Sequence, residues 1–334
     1  MICSRVQGEA LLTRTNRLRK TMTSSKILLT TSRISNLELD SLSQQQKQQD
    51  SPPCSLKWRK GKLWVKRVEQ VEPLEIPALE SKQWIKDCLA RSPVQQICLD
   101  PALGEKGLKF WADASEQAQK QVYLRIPPHP KLPRKPSPRW WLKRASDWGA
   151  TTLLLLVLTP VMLGLALLVQ TSSPGPIFFR QWRVGKRGKL FQVFKFRTMV
   201  ADAEERHHEV MGDQQGLHKR EDDPRITPLG RWMRKYSLDE LPQLFNVLRG
   251  EMSLVGPRPW ALYDALRISP AGRRRLKATP GITGPWQVEA RSKLLDLEAV
   301  NNRDLEYLRG WSLGRDLKIL LMTIPKVISG FGAY

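Results

Sequence analysis

The chain has 334 residues, 41% hydrophobic and 26% charged, which is ordinary for globular protein and excludes whole-chain disorder, a collagen-like repeat and a disulfide scaffold. Its balance is strongly basic: 55 Lys+Arg against 32 Asp+Glu give +23, so a polyanionic partner is expected among nucleic acid, anionic lipid and phosphate-bearing substrates. Cys3, Cys54, Cys88 and Cys98 are widely spaced with no C-x-x-C pair, which argues for a reducing compartment and against a zinc site.

Residues 1–57 read as a disordered basic and Gln-rich tail, with Arg14, Arg17, Arg19 and Lys20 followed by the run Gln44–Gln49. Ile27-Leu28-Leu29 is too short for the apolar core of a secretory signal, and Met22 is an alternative start to Met1. Residues 58–126 alternate in period. Leu63-Trp64-Val65, Ile97-Cys98-Leu99 and Val122–Ile126 read as strands, separated by helical spacing at Trp84, Ile85, Cys88, Leu89 and at Leu108, Trp111, Ala112, Ser115. This βαβαβ order implies a small parallel sheet; no Gly-rich phosphate loop follows any strand, so a docking or structural module is expected rather than a nucleotide-binding one.

Residues 127–138 hold six prolines in twelve residues, a stiff basic linker and the clearest boundary in the chain. A third region, 139–334, follows. Gly149–Val169 is an uncharged stretch of 21 residues, long enough to cross a bilayer core as a helix, with Trp140, Trp141 and Trp148 before it at the interface. A buried helix of a large soluble core is the competing reading. Pro160 interrupts the stretch, Thr159 beside it offers a hydroxyl to a freed carbonyl, and positive charge flanks both ends at Lys143, Arg144 and at Arg180, Arg183, Lys186, Arg187. Equal charge on both sides suits a re-entrant hairpin, bent at Thr159-Pro160, that enters and leaves by one face.

Ile177–Val184 and Leu190–Phe196 flank Gly185–Lys189 as a basic-tipped β-hairpin, and Ala201–Glu221, with His207, His208 and His218, reads as a mobile polar loop. Near the end Leu317, Leu320, Leu321, Ile324, Val327 and Ile328 share a helical face, read here as packing on the core in preference to lying on a membrane.

Chemistry concentrates around Ser237–Pro242. Ser237 with Glu240 three residues on is a capping-box pattern; alternatively one carboxylate of Asp239-Glu240 attacks phosphorus while the other holds a metal. Adjacent helical residues diverge in direction, which suits two separate jobs better than a shared proton. Lys195, Arg197, Arg225 and Arg258 supply cations nearby in sequence, with two prolines fixing the backbone around Arg258; Gly281 and Gly284 in Pro280–Gly284 offer backbone amides for an anion nest.

These pieces occur together and in one order. Thr159-Pro160, SSPGP, KFRTM, DDPRIT, SLDELPQLFNVLRGEMSLVGPRP, PGITGPWQV and DLKILLMT closely resemble the bacterial sugar transferases that charge polyprenyl phosphate, the monotopic phosphoglycosyl transferases. The resemblance covers about residues 140–330. Trp58–Gly61 and Phe110–Ala114 also look like cyanobacterial members linked to heterocyst-envelope polysaccharide.

The resemblance implies an α+β fold: a mainly helical monotopic membrane domain with a re-entrant helix hairpin and a small β-hairpin, preceded by the small α/β module. It implies that Asp239 attacks the sugar-side phosphate of a UDP-sugar, releasing UMP, and that polyprenyl (undecaprenyl) phosphate then takes the phosphosugar to initiate exopolysaccharide or other glycoconjugate synthesis. Glu240 corresponds to the Mg²⁺-binding acid and Arg258 to the arginine of the Pro-Arg-Pro element, with Lys195, Arg197, Arg225, Gly281 and Gly284 around the phosphates. Membrane lipid is the expected surface, on the cytoplasmic face of the inner membrane; nucleic acid is not an expected partner. A homo-oligomer and downstream glycosyltransferases are further partners the resemblance admits. Two readings from other classes compete: a catalytically inert membrane scaffold and a membrane-tethered polyanion binder.

Overall fold

The computed structural model describes residues 54–67, 82–125, 138–203, 206, 223–269, 272–289 and 296–330. The proposed tail up to residue 53, the linker 126–137 and the three loop histidines lie outside them. The chain divides into two compact units after Arg125.

The first unit is a four-stranded sheet in the order β1 (Cys54–Arg59), β2 (Lys62–Arg67), β3 (Gln96–Leu99), β4 (Gln121–Leu124). β2, β3 and β4 run parallel, connected through α1 (Lys82–Arg91) and α2 (Gly104–Gln117), as the alternating periods predict. β1 is new: it begins inside the stretch read as tail and pairs antiparallel with β2. Its signal is the turn Lys60-Gly61, both at positive φ (50° and 71°), the two-residue geometry that matches the twist of a hairpin. Ile85, Leu89, Leu108, Phe110 and Trp111 turn inward from the helices onto Leu63, Val65, Ile97, Leu99, Val122 and Leu124.

The second unit opens with α3 (Pro138–Ser172), one continuous 35-residue helix with Pro160 inside it. Two helices joined by a turn are therefore not what these residues form. The Thr159 hydroxyl donates to the Leu155 carbonyl at 2.6 Å, whereas the carbonyl that Pro160 deprives of a partner is that of Leu156, four residues back. Trp140–Ser172 is long and apolar enough to cross a membrane, and only 17% of its most apolar window is buried inside the protein, which removes the buried-core-helix reading.

Both ends of α3 are fastened to the same unit. Near its start, Arg144 donates to the carbonyls of Val247 and Met252 at 2.6 Å each, Lys143 to Val255 O at 3.1 Å and to Asp316 at 2.6 Å, and Asp147 accepts from the Ser253 hydroxyl at 2.7 Å. At its end, the Arg197 guanidinium donates to the carbonyls of Ser173 (2.7 Å) and Pro174, and more weakly to Val169 (3.4 Å). Between them Met162, Leu165 and Val169 pack with Phe196 and Met233.

After α3 comes the expected hairpin of β5 (Phe178–Val184) and β6 (Leu190–Phe196), with β8 (Trp260–Ala261) added beside β5. α4 (Pro228–Lys235) starts on the Thr227 hydroxyl, which accepts from Gly230 N at 3.0 Å, and carries Arg234 and Lys235 in its last turn, where cations favour the helix dipole. α5 (Gln243–Leu248), β7 (Ser253–Val255), α6 (Leu262–Arg267), β9 (Gly281–Thr283), α7 (Pro285–Glu289), α8 (Leu297–Arg309) and α9 (Leu313–Ser329) complete it. Their core holds Phe191, Val193, Leu244, Val247, Met252, Leu254, Val288, Tyr307 and Ile319.

The apolar stripe of α9 does not chiefly pack inward. Ile319 is buried and Leu320 partly so, but Leu317, Leu321, Ile324 and Ile328 are 55–70% exposed, because the core takes the adjacent face of the helix.

Candidate active site

The acidic pair sits on a single 3₁₀ turn, Leu238–Glu240, between α4 and α5. Ser237 before it is left-handed at φ 53°, an uncommon conformation for a residue with a side chain, and its hydroxyl makes no cap bond. The capping-box reading of Ser237 and Glu240 is therefore not realised. What the turn does is present Asp239, 6% exposed, beside a half-buried Glu240. A non-glycine residue held left-handed next to a buried acid is the kind of strain that clusters at functional sites.

Lys195 of β6 joins both carboxylates: its Nζ lies 2.7 Å from Glu240 Oε1 and 3.6 Å from Asp239 Oδ2. Asn246 fixes β6 against the helix that follows the pair, accepting from Phe194 N at 3.1 Å and donating to Gln192 O at 2.8 Å. A second cation comes from Arg234, which donates to the Thr198 hydroxyl at 2.9 Å. Desolvation lowers its pKa, while the nearby charges of Asp239, Asp223 and Glu240 act the other way. Sequence reading missed Arg234 because it lies in a run of basic residues on α4, five positions before Asp239.

The Pro257-Arg258-Pro259 loop connects β7 to β8. The Arg258 guanidinium stands 5.0 Å from the centre of the Trp286 ring, and its carbonyl accepts from Arg275 at 2.5 Å. Arg183 of β5, buried, donates to Pro259 O at 3.2 Å; burial lowers its pKa, with Arg258, Asp264 and Glu240 as charged neighbours. Asp264 of α6 is buried among Arg183, Arg258, Arg267 and Arg275, and desolvation pushes its pKa up to about 6 in spite of them. Arg275 and Asp304 form a buried ion pair under the loop.

Not every cation named from the sequence converges on the acids. Lys195 does. Arg197 spends its guanidinium chiefly on the carbonyls of Ser173 and Pro174, just past the end of α3. Arg225 is buried in a bidentate pair with Asp223, at 2.9 and 2.6 Å, and also donates to Ala203 O at 2.9 Å; it braces the start of α4. Gly281 donates its N–H to Pro257 O at 2.9 Å, and Gly256 N donates to Thr283 O at 3.0 Å. A methyl at Gly281 would collide with Gly256 N, and one at Gly284 with Gly256 O. The two glycines thus let β9 approach the Arg258 loop backbone to backbone, and the Gly281 amide is engaged within the fold.

Among the described residues no group of three or more His, Cys, Asp or Glu side chains comes together. Magnesium needs less than that, since it is commonly held by one or two carboxylates with water and substrate phosphates. Asp239 and Glu240 fit such a site only with substrate oxygens completing it.

A family profile described as bacterial sugar transferase matches residues 138–330. The chain belongs to that family. Relatives include the galactosyl transferase CpsE of Streptococcus agalactiae, 44% identical over 48% of this chain and 36% of the relative. The UDP-glucose:undecaprenyl-phosphate glucose-1-phosphate transferase of Escherichia coli is 42% identical over 58% of this chain and 41% of its own length. The protein of that same description from Caulobacter vibrioides is 44% identical over 58% of this chain and 72% of its length. The chain thus spans about two fifths of the length of the first relatives it matches, 36% to 41%.

Proposed function

We propose that this chain transfers a sugar-1-phosphate from a UDP-sugar to undecaprenyl phosphate through a phosphosugar carried on Asp239, the first step in building an exopolysaccharide or related glycoconjugate. The observation that carries the reading is the Asp239-Glu240 turn, with Asp239 buried and Lys195 paired to both acids, in a chain of this family. UDP-glucose and the galactose analogue are the first donors to test, from the names of the relatives.

An Asp239 carboxylate oxygen attacks the phosphorus bearing the sugar, and the bond to the bridging oxygen breaks as UMP leaves. An oxygen of the lipid phosphate then attacks the same phosphorus and frees the carboxylate. Carboxylate and pyrophosphate repel each other, so the approach needs fixed positive charge. Lys195 and Arg234 supply it at the nucleophile, and Arg183 and Arg258 at the adjoining loop, where the stacked planar guanidinium of Arg258 suits a phosphate. A magnesium ion, when bound through Glu240 and substrate oxygens, would neutralise further charge on the diphosphate.

We further propose that α3 is re-entrant. Its two ends are tied to one polar unit by Arg144 and Arg197, and its middle exposes Leu153, Leu156, Val157, Leu163 and Leu167. The exposed stripe of α9 would lie in the same headgroup region. In this reading the acids lie at the membrane surface, taken as the cytoplasmic face of the inner membrane, where a soluble sugar nucleotide meets a lipid phosphate. The heterocyst-type resemblance rests on Trp58–Gly61 and Phe110–Ala114, residues that serve the β1–β2 turn and the core of α2, and it adds no preference for a sugar.

The test is release of UMP from UDP-sugars by the purified protein, with and without polyprenyl phosphate. Turnover that needs the lipid, and a single equivalent of UMP without it, is expected. No UMP from any UDP-sugar would favour the scaffold or polyanion-binding readings.

A further inference from the structure

The sheet of the first unit has two unlike faces. α1 and α2 pack against each other, so both cover one side. The pairing register places Ser55, Lys57 and Arg59 of β1, Lys62, Trp64 and Lys66 of β2, Gln96 and Cys98 of β3, and Gln121 and Tyr123 of β4 on the other, because paired residues point to the same face. Arg125, two residues beyond Tyr123, joins them with its guanidinium 5.9 Å from the centre of the Trp64 ring. Lys57, Arg59, Lys62, Lys66 and Arg125 are exposed, and the four strands contain no acidic residue. Among the described residues Asp100 approaches the face, paired with Arg125 at 3.1 Å. None of these residues has a part in the proposed transfer chemistry.

We propose that this basic, aromatic sheet face docks on the anionic phospholipid headgroups of the membrane that holds α3. The charge is complementary, and Trp64 and Tyr123, both half-buried, are rings of the kind enriched at the lipid interface. The chain between the units is short: residues 126–137, fully extended, reach at most about 45 Å. A sheet face of this charge is thereby tethered to the start of α3 by a chain of at most that reach. The inference rests on the membrane placement proposed above, and it gives the amino-terminal module a task distinct from catalysis.

Lysine acetylation footprinting of the full chain, reconstituted in nanodiscs of zwitterionic lipid or of zwitterionic lipid with about one third phosphatidylglycerol, tests it. Lys57, Lys62 and Lys66 are expected to react at least tenfold more slowly in the anionic discs at low salt, and to recover in 0.5 M NaCl. Lys106, exposed on α2, is expected to react alike in both. A basic residue near an anionic surface contributes about fivefold to partitioning, so Lys57→Glu, which removes that charge and adds a negative one, should relax the protection of Lys62 and Lys66 by at least that factor. Equal reactivity in both lipids, or protection already present in detergent from the chain itself, overturns the proposal. Protection in zwitterionic discs produced by added single-stranded oligonucleotide, and not by anionic lipid, also overturns it in favour of nucleic acid. UMP release in the same discs reports the catalytic reading separately, and Lys57→Glu should leave it unchanged.

Discussion

Asp239→Asn keeps the volume of the buried side chain and removes the charged oxygen, so it separates chemistry from stability. The substitution weakens the longer of the two ion pairs that Lys195 makes, 3.6 Å, while its 2.7 Å pair with Glu240 remains. Ser237 makes no side-chain cap bond, so the turn does not depend on the acid's neighbour for capping. A loss of about 1–3 kcal/mol is expected, a shift of roughly 2–12 °C in melting temperature for a unit of this size. The catalytic cost is of another order, because removing a nucleophile costs on the order of 10⁴-fold or more, about 5.5 kcal/mol of barrier. The assay is a burst of UMP from labelled UDP-sugar without lipid acceptor, read alongside the melting curve and the label retained on the protein. Wild type should give one equivalent of each, and the variant neither. A folded Asp239→Asn protein that still acquires label would refute the assignment, and loss of activity matched by a melting shift of tens of degrees would return Asp239 to a structural role.

Other expectations bear on the surroundings of the pair. Turnover should cease in excess chelator and return with Mg²⁺, and Glu240→Gln should raise the Mg²⁺ concentration needed; full turnover in chelator would remove the metal role from Glu240. Asp264, raised to about 6, binds its proton more tightly folded than unfolded, so the stability it contributes is present at pH 4 and lost as pH rises through 6. Thermal or denaturant unfolding should show wild type losing up to about 3 kcal/mol across that range relative to Asp264→Asn, and parallel curves would contradict the burial argument. Gly281→Ala should destabilise the fold by more than about 2 kcal/mol, because its methyl meets backbone that cannot move aside, and an unchanged melting temperature would argue against the close approach. Single cysteines placed before Trp148 and after Arg183 should both label from the cytoplasmic side; periplasmic labelling of either would replace the re-entrant α3 with a full crossing.

Much of the architecture was legible because it is written in local periods. The change from strand to helix spacing between Leu63 and Leu124, the uncharged run from Gly149 and the basic-tipped turn at Gly185–Lys189 each depend on neighbours a few residues apart. β1 was obscured, since Cys54–Arg59 has little apolar alternation and becomes a strand by pairing with β2 through the Lys60-Gly61 turn. The acids were legible as a motif, but their surroundings were not. Charge in a sequence does not say where a long side chain ends: Lys195 reaches the pair, whereas Arg197, two residues on and just past β6, reaches the segment that follows α3. Arg225 is consumed by Asp223, and Arg234, Arg183 and Asp264 enter the site's field only when α4, β5 and α6 are brought together. The same holds for Gly281 and Gly284, whose role follows from a backbone approach between segments 25 residues apart, Gly256 to Gly281. Sequence alone determined the motif, the membrane stretch and the overall charge. Tertiary structure decided which charges are spent on holding the chain and which remain beside Asp239, because desolvation and pairing depend on distances that no local pattern encodes.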